Sequence, residues 1–283
     1  MKLRTAVVAG LVLASVGLSA QGRQGRRGDR DVDFGRSAEE WCRDAGDNNR
    51  DRYRTSCDVR EQTLSKVDLL DVDPGGNGGI RVRGISGSAT RVRFRIVGNA
   101  RDEREARELV EQVRVSVEGG RIRATGPSSS GGDRWWNVQV EIETPRDTPL
   151  ALSTRNGGIT LEGVSGRTRF ETSNGGVSLV NVAGDVQGRT ANGGLHITLD
   201  GSRWQGEGLN VETTNGGVHM ELPENYNAEL HTETRNGGLD IDFPITVTGR
   251  LSSQRRNIDT TLGAGGAPIR VRTVNGGVRI VRR

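Results

Sequence analysis

The stretch TRNGGITLEG, residues 154–163, recurs as TSNGGVSLVN (172–181), TANGGLHITL (190–199), TTNGGVHMEL (213–222), TRNGGLDIDF (234–243) and TVNGGVRIVR (273–282). Its asparagines fall at Asn156, Asn174, Asn192, Asn215, Asn236 and Asn275, with a degenerate copy near Asn257, so the intervals are 18, 18, 23, 21, 21 and 18 residues. An earlier copy, Asn77-Gly78-Gly79, opens an alternating stretch. Spacing near 20 residues is the signature of a stack in which each repeat cannot bury its apolar face alone. Before each Asn, the apolar residues and a Thr stand at even offsets, as in Leu150, Leu152 and Thr154. After the two glycines they stand at odd offsets, as in Ile159 and Leu161. A strand that simply continued would keep its parity, so the chain must turn at Asn-Gly-Gly.

Two turns satisfy that parity. Asn-Gly between alternating strands is a strong hairpin signal, and six hairpins would build an antiparallel sandwich or prism. The alternative is a parallel β-solenoid of 18–23-residue rungs, all-β, in which like residues of successive rungs stack about 4.8 Å apart. The solenoid explains what hairpins do not: why Thr and Asn keep their offsets in nearly every copy. Stacked Asn amides can hydrogen-bond from rung to rung. Asn tolerates positive φ and Gly adopts dihedrals closed to other residues, so a left-handed corner is expected.

The chain has 283 residues, of which 32% are hydrophobic and 42 are Gly, which suits a thin, repetitive fold better than a thick core. Residues 1–20 begin with Lys2 and Arg4, continue with an apolar run and end on Ser19 and Ala20, and they read as a secretory signal peptide. No later segment approaches the roughly 20 apolar residues of a spanning helix. Export makes the lone pair Cys42 and Cys57 an expected disulfide, worth roughly 3 kcal/mol by loop entropy. Forty basic and 36 acidic residues are mixed along the chain, which reads as a solvated surface and not as a nucleic-acid footprint. The Arg-rich stretch 22–30 is read as a mature N-terminal tail.

Residues 21–75 are polar and form an expected disulfide-tied, loosely structured lead-in. Residues 76–149 alternate with period two and form an N-terminal β region, interrupted by one amphipathic helix at about 101–113 that places Ala106, Leu109, Val110 and Val113 on one face. The repeat occupies 150–283.

A signal peptide, a Cys pair in an Arg- and Asp-rich lead-in, alternating strands with one helix, and T-x-N-G-G-hydrophobic-x-hydrophobic repeats together resemble the bacterial "putative adhesin" family, exported β-strand-repeat proteins of unknown function. The resemblance covers residues 77–283. It implies a β-solenoid at the cell envelope with no established active site.

The glycines do not mark a phosphate loop, since every copy runs into a strand and lacks the Lys and Ser or Thr that would follow. They also lack the Asp of calcium-binding repeats. Four positions after the Asn, stacking in chain order would bring His196, His219 and Asp240 into one ladder flanked by Glu221 and Asp242. That ladder reads either as a solvated face or as a zinc or copper site. Trp204, in the longest interval, is expected on a loop, either folded over the core or offered to sugars. Of Trp135 and Trp136, one should be core and the other rim. The function expected is an exported, non-enzymatic cell-envelope protein, periplasmic or extracellular, acting as a structural or adhesin-like scaffold. It implies no cofactor, and its partner would be an envelope protein or surface polysaccharide. The competing reading is a carbohydrate-active β-helix enzyme, a lyase or hydrolase, using carboxylates at Glu221, Asp240 and Asp242.

Overall fold

The computed structural model describes residues 32, 34–43, 45, 52–128, 133–243 and 257–283. The expected signal peptide and the Arg-rich stretch 22–30 lie outside them. Ahead of the repeats come α1 (Ala38–Arg43), β1 (Arg54–Leu64), β2 (Leu70–Asp73), β3 (Ile80–Ile85), β4 (Thr90–Ala100), α2 (Glu103–Gln112), β5 (Arg114–Glu118), β6 (Arg121–Thr125) and β7 (Trp135–Pro145). Each repeat then supplies two strands: β8 and β9 (Leu150–Asn156, Ile159–Glu162), β10 and β11 (Thr168–Asn174, Val177–Val180), β12 and β13 (Asp185–Asn192, Leu195–Thr198). They continue with β14 and β15 (Gly208–Asn215, Val218–Leu222), β16 and β17 (Ala228–Asn236, Leu239–Ile241), then β18 (Asn257–Leu262), and finally β19 and β20 (Pro268–Asn275, Val278–Arg282).

Among the described residues the protein is all-β, with two short helices and twenty strands that form two mixed ten-stranded sheets. Sheet I runs β1-β4-β7-β3-β9-β11-β13-β15-β20-β17, and sheet II runs β18-β16-β19-β14-β12-β10-β8-β2-β6-β5. Every Asn-Gly-Gly therefore carries the chain from sheet II to sheet I, which excludes the hairpin alternative for these copies. Equivalent residues pair in parallel register, as in Thr172↔Thr190, Asn174↔Asn192 and Val177↔Leu195. Each strand pair joined by such a corner is one rung. The even and odd apolar positions meet between the sheets in one continuous cluster from Leu70 to Ile280.

Asn257 and the order of the rungs both depart from the sequence expectation. The degenerate copy at Asn257 makes no corner; it begins β18, which runs antiparallel to β16 at the end of sheet II. The rungs also do not stack in chain order, because β19 lies between β14 and β16, and β20 between β15 and β17. The last rung in sequence is thus inserted between two earlier ones.

The corner owes its composition to close approach and not to left-handed φ. None of the glycines or asparagines of the Asn-Gly-Gly copies has a positive φ; Asn181 is the one non-glycine that does among the described residues. A Cβ on the first glycine of a copy would overlap backbone of the neighbouring rung: Gly157 meets the carbonyl oxygen of Gly78, and Gly175 that of Gly157. That oxygen is in turn an acceptor. Thr172 donates its hydroxyl to Gly157, Thr190 to Gly175 and Thr213 to Gly193, at 2.7–2.9 Å. The buried Thr row therefore satisfies a carbonyl that the turn removes from the sheet ladder. Outside it, Asn174 donates to Asn156, Asn192 to Asn174, Asn215 to Asn192, Asn275 to Asn215 and Asn236 to Asn275, at 2.7–2.9 Å.

The segment expected as a loose lead-in holds the eleven-residue β1, antiparallel to β4, and α1, whose Cys42 is disulfide-bonded to Cys57 of β1. β1 reads RTSCDVREQTL, without the period-two alternation that would reveal a strand. Trp41 of α1 is fully buried over the outer face of sheet I, with the guanidinium of Arg93 4.9 Å from its ring centroid and Arg36 and Arg95 at 5.4 Å. Such stacking lets Arg sit in a desolvated layer. Helix α2 spans 103–112 and is capped by Asp102, which accepts from the Glu105 amide; Arg60 of β1 donates to the carbonyls of Val110 and Val113 at its other end.

Two glutamates of β7 anchor this layer. Burial pushes the Glu141 carboxyl above its ordinary range, even though Arg81 and Arg36 lie at 3.2 and 3.4 Å. Burial also acts on Glu143, but bonds from Arg83 and Arg91 outweigh it and hold its pKa below the ordinary value. A depressed carboxylate stabilises the fold above its unfolded pKa, and the stabilisation is lost as pH falls through the folded pKa. Glu143→Gln should therefore cost about 1.5–3 kcal/mol at pH 7 and less under acid, where the native carboxyl is already protonated. Urea unfolding at pH 7 and in the acid limb measures this; an equal cost at both would refute it.

Candidate functional site

The outward residues of the rungs make two periodic faces. On sheet II, three positions before the Asn, the strands in spatial order carry Glu171, Arg189, Glu212, Arg272 and Glu233. The charges alternate, with Arg189 2.8 Å from Glu171 and Arg272 3.5 Å from Glu233. In chain order Glu212 would have stood beside Glu233; the inserted β19 places Arg272 between them. Like charges directly opposite destabilise a sheet and opposite charges favour it, so this row is a sequence signal for the rung order that reading in chain order misses.

Beside it runs a second row: Ala151, Arg169, Gln187, Asn210 and Arg270. Arg169 donates to Asp185 at 3.0 Å, and this bond holds the Asp185 carboxyl below its ordinary pKa. Together the two rows line a shallow groove of about 460 Å³ that includes Arg169, Gln187, Arg189, Asn210, Glu212 and Arg272. Its floor is the sheet itself. Its groups are guanidinium, carboxylate and amide, which present paired donors and acceptors one rung apart.

On sheet I the row four positions after the Asn reads Thr160, Ser178, His196, His219, Arg279 and Asp240. The rings of His196 and His219 stack at 5.1 Å and 18°. His219 Nε2 lies 3.1 Å from Glu221 Oε1. The expected ladder of His196, His219 and Asp240 is broken, because Arg279 of the inserted β20 stands between His219 and Asp240 and approaches Asp240 to 3.4 Å. A cation so placed opposes a metal ion, and no metal-binding group of three or more His, Cys, Asp or Glu occurs among the described residues. The same insertion separates Glu221 from Asp240 and Asp242, the carboxylates expected for catalysis. Val281 of β20 pairs with Glu221, while Asp242 is drawn to Arg282 at 3.1 Å. Glu221 thus faces His219 and Asp242 faces Arg282, on opposite sides of β20.

The aromatic residues are structural. Trp204 is buried, and its indole donates to the carbonyl of Gly184 at 2.9 Å, so it covers the core and is not offered to sugars. Trp136 is buried with its indole on Pro127, while Trp135 is half-buried against Tyr53 at 4.7 Å. Among the described residues no helix is long and apolar enough to cross a membrane.

Compared with known proteins, residues 137–281 match the profile of the Toastrack DUF4097 family. No curated protein matches the chain. Among solved structures it is similar to a "putative cell adhesion protein" from Clostridium sporogenes ATCC 15579, at 11% identity over 80% of this chain and 100% of that one, with a TM-score of 0.43. It is similar as well to a "putative adhesin" from Bacteroides fragilis NCTC 9343, at 9% identity over 80% and 97% with a TM-score of 0.39. A third, a "putative lipid binding protein" from Parabacteroides distasonis ATCC 8503, has 11% identity over 83% and 98% with a TM-score of 0.31.

Proposed function

This chain belongs to the Toastrack DUF4097 family, and from that membership and the face described above we propose that it is an exported, non-enzymatic binding scaffold of the cell envelope. In this reading the rungs are those of a parallel β-solenoid, and the ligand is a surface polysaccharide lying in the sheet II groove. The carrying observation is the double row of guanidinium, amide and carboxylate groups set at the regular spacing of the rungs, which suits a polymer with its own short repeat. Its charges balance locally, so hydrogen bonding and not net charge would select the ligand. The Cys42–Cys57 bridge fits an oxidising compartment.

The test is titration of the chain without residues 1–20 against envelope polysaccharides by calorimetry, with product analysis alongside. Gln187→Ala with Asn210→Ala removes exposed amides that the core does not use. Binding weakened at least tenfold by that pair supports the reading. Binding that ignores the pair, or robust cleavage of the polymer, overturns it.

A further inference from the structure

The inserted rung is held differently from every other. It follows all the other strands in sequence, yet it sits with β14 and β15 on one side and β16 and β17 on the other. Without it, those strands would face each other across a slot with two hydrogen-bonding edges, and an unpaired edge is a template for another strand. Its ladders are those of every other rung, and its charges match this slot. Thr273 and Asn275 continue both ladders, with Thr273 donating to Gly216 and Thr234 donating to Gly276, each at 2.7 Å. Arg272 and Arg279 face Glu233 and Asp240 on the far side. Chain-order stacking would close the slot but would set Glu212 against Glu233, so the slot is matched to this rung.

The connection into it is short and glycine-built. Between β18 and β19 lie residues 263–267, of which Gly263, Gly265 and Gly266 have φ of +54°, +77° and +148°. Those values belong to glycine, and glycine loses little by leaving them. A hinge of this kind can direct the following rung into its own slot or away from it.

We infer that the rung Pro268–Arg282 is exchangeable, and that its slot accepts the same rung from a second copy of this chain. Every contact of the inserted rung is reproduced in the exchanged state, because the slot cannot distinguish which chain supplies it. What changes is the path of the hinge and the loss of free association, so concentration sets the balance. Reciprocal exchange gives a closed pair; one-way exchange gives an open chain of molecules, a mode of extension suited to an envelope protein.

Cross-linking of full chains tests this. One population carries Glu212→Cys and a second carries Arg272→Cys, two positions that are direct partners in register on β14 and β19. Parallel neighbours at that separation are within reach of a disulfide. Neither chain can form this bond within itself. After co-refolding and oxidation, a covalent heterodimer should appear on non-reducing gels and increase at least tenfold between about 2 and 200 μM protein, as mass action requires. A control pair, Arg189→Cys with Arg272→Cys, lies two rungs apart and should give none. Circular dichroism of each variant confirms folding before mixing, and both sites are on the exposed face. Absence of the heterodimer in folded chains at the highest concentration, or equal cross-linking by the control pair, overturns the inference.

Discussion

Gly175→Ala should destabilise the protein by about 3 kcal/mol, while Gly176→Ala, one residue later, should cost no more than about 1. Both glycines belong to one Asn-Gly-Gly and neither has a positive φ. A Cβ on Gly175 would overlap the carbonyl oxygen and carbon of Gly157, which are backbone atoms of the adjacent rung. Relief requires the rungs to separate, and that breaks the bond from Thr172 to Gly157, the bond from Asn174 to Asn156 and the backbone bond from Gly157 to Asn174. A Cβ on Gly176 would meet the Gly194 oxygen at 3.4 Å, an ordinary contact. Thermal and urea unfolding of the two variants decide it. Equal costs would mean that the corner needs glycine for its dihedrals after all.

Gly188→Val should cost a comparable amount, about 3 kcal/mol, and most of it should return when Phe170 is shortened to Val. Four positions before the Asn, the inward row carries Leu152, Phe170, Gly188 and Val211 on neighbouring strands. A Cβ on Gly188 would clash with three atoms of the Phe170 ring, because that ring occupies the volume its own strand and the next would otherwise share. Phe170→Val alone leaves a cavity over Gly188, a cost of about 2–4 kcal/mol for a lost buried ring. In the double variant two Val side chains fill the space of one Phe and one Gly, so the costs should fall short of additivity by at least about 2 kcal/mol. Simple addition in a denaturation cycle would show that the two residues pack independently.

The Phe170 and Gly188 pair shows why parts of the sequence are hard to read. Alignment on the Asn makes Gly188 a gap in the apolar pattern, and nothing within its own repeat explains it. The explanation lies one rung away. Trp41 and β1 are concealed for a related reason: a layer of Arg, Glu and aromatic residues reads as a polar surface until Arg93, Trp41 and Glu141 are seen buried together. The disulfide partners and the helix over 103–112 were plain, because pair number and 3.6-residue periodicity are local signals. For the candidate site, the outward rows could be listed from the repeat, but the order of their members shows only in the alternating charges from Glu171 to Glu233 and not in chain order. The proposed ladder of His196, His219 and Asp240 failed on a single assumption, that rungs adjacent in sequence are adjacent in space.

The sequence alone determined the period, the two inward faces, the change of parity at Asn-Gly-Gly and the positions of Thr and Asn that tie one rung to the next. These depend on bonds that any two copies of the repeat can make. The tertiary structure decided which copy sits beside which, the insertion of β19 and β20 included. Backbone ladders and the Asn and Thr bonds are the same for every pairing, so they cannot choose an order. The choice falls to the variable outward charges, to the glycine hinge at 263–266 and to the antiparallel β18 that ends sheet II, and these act together only once the chain is folded.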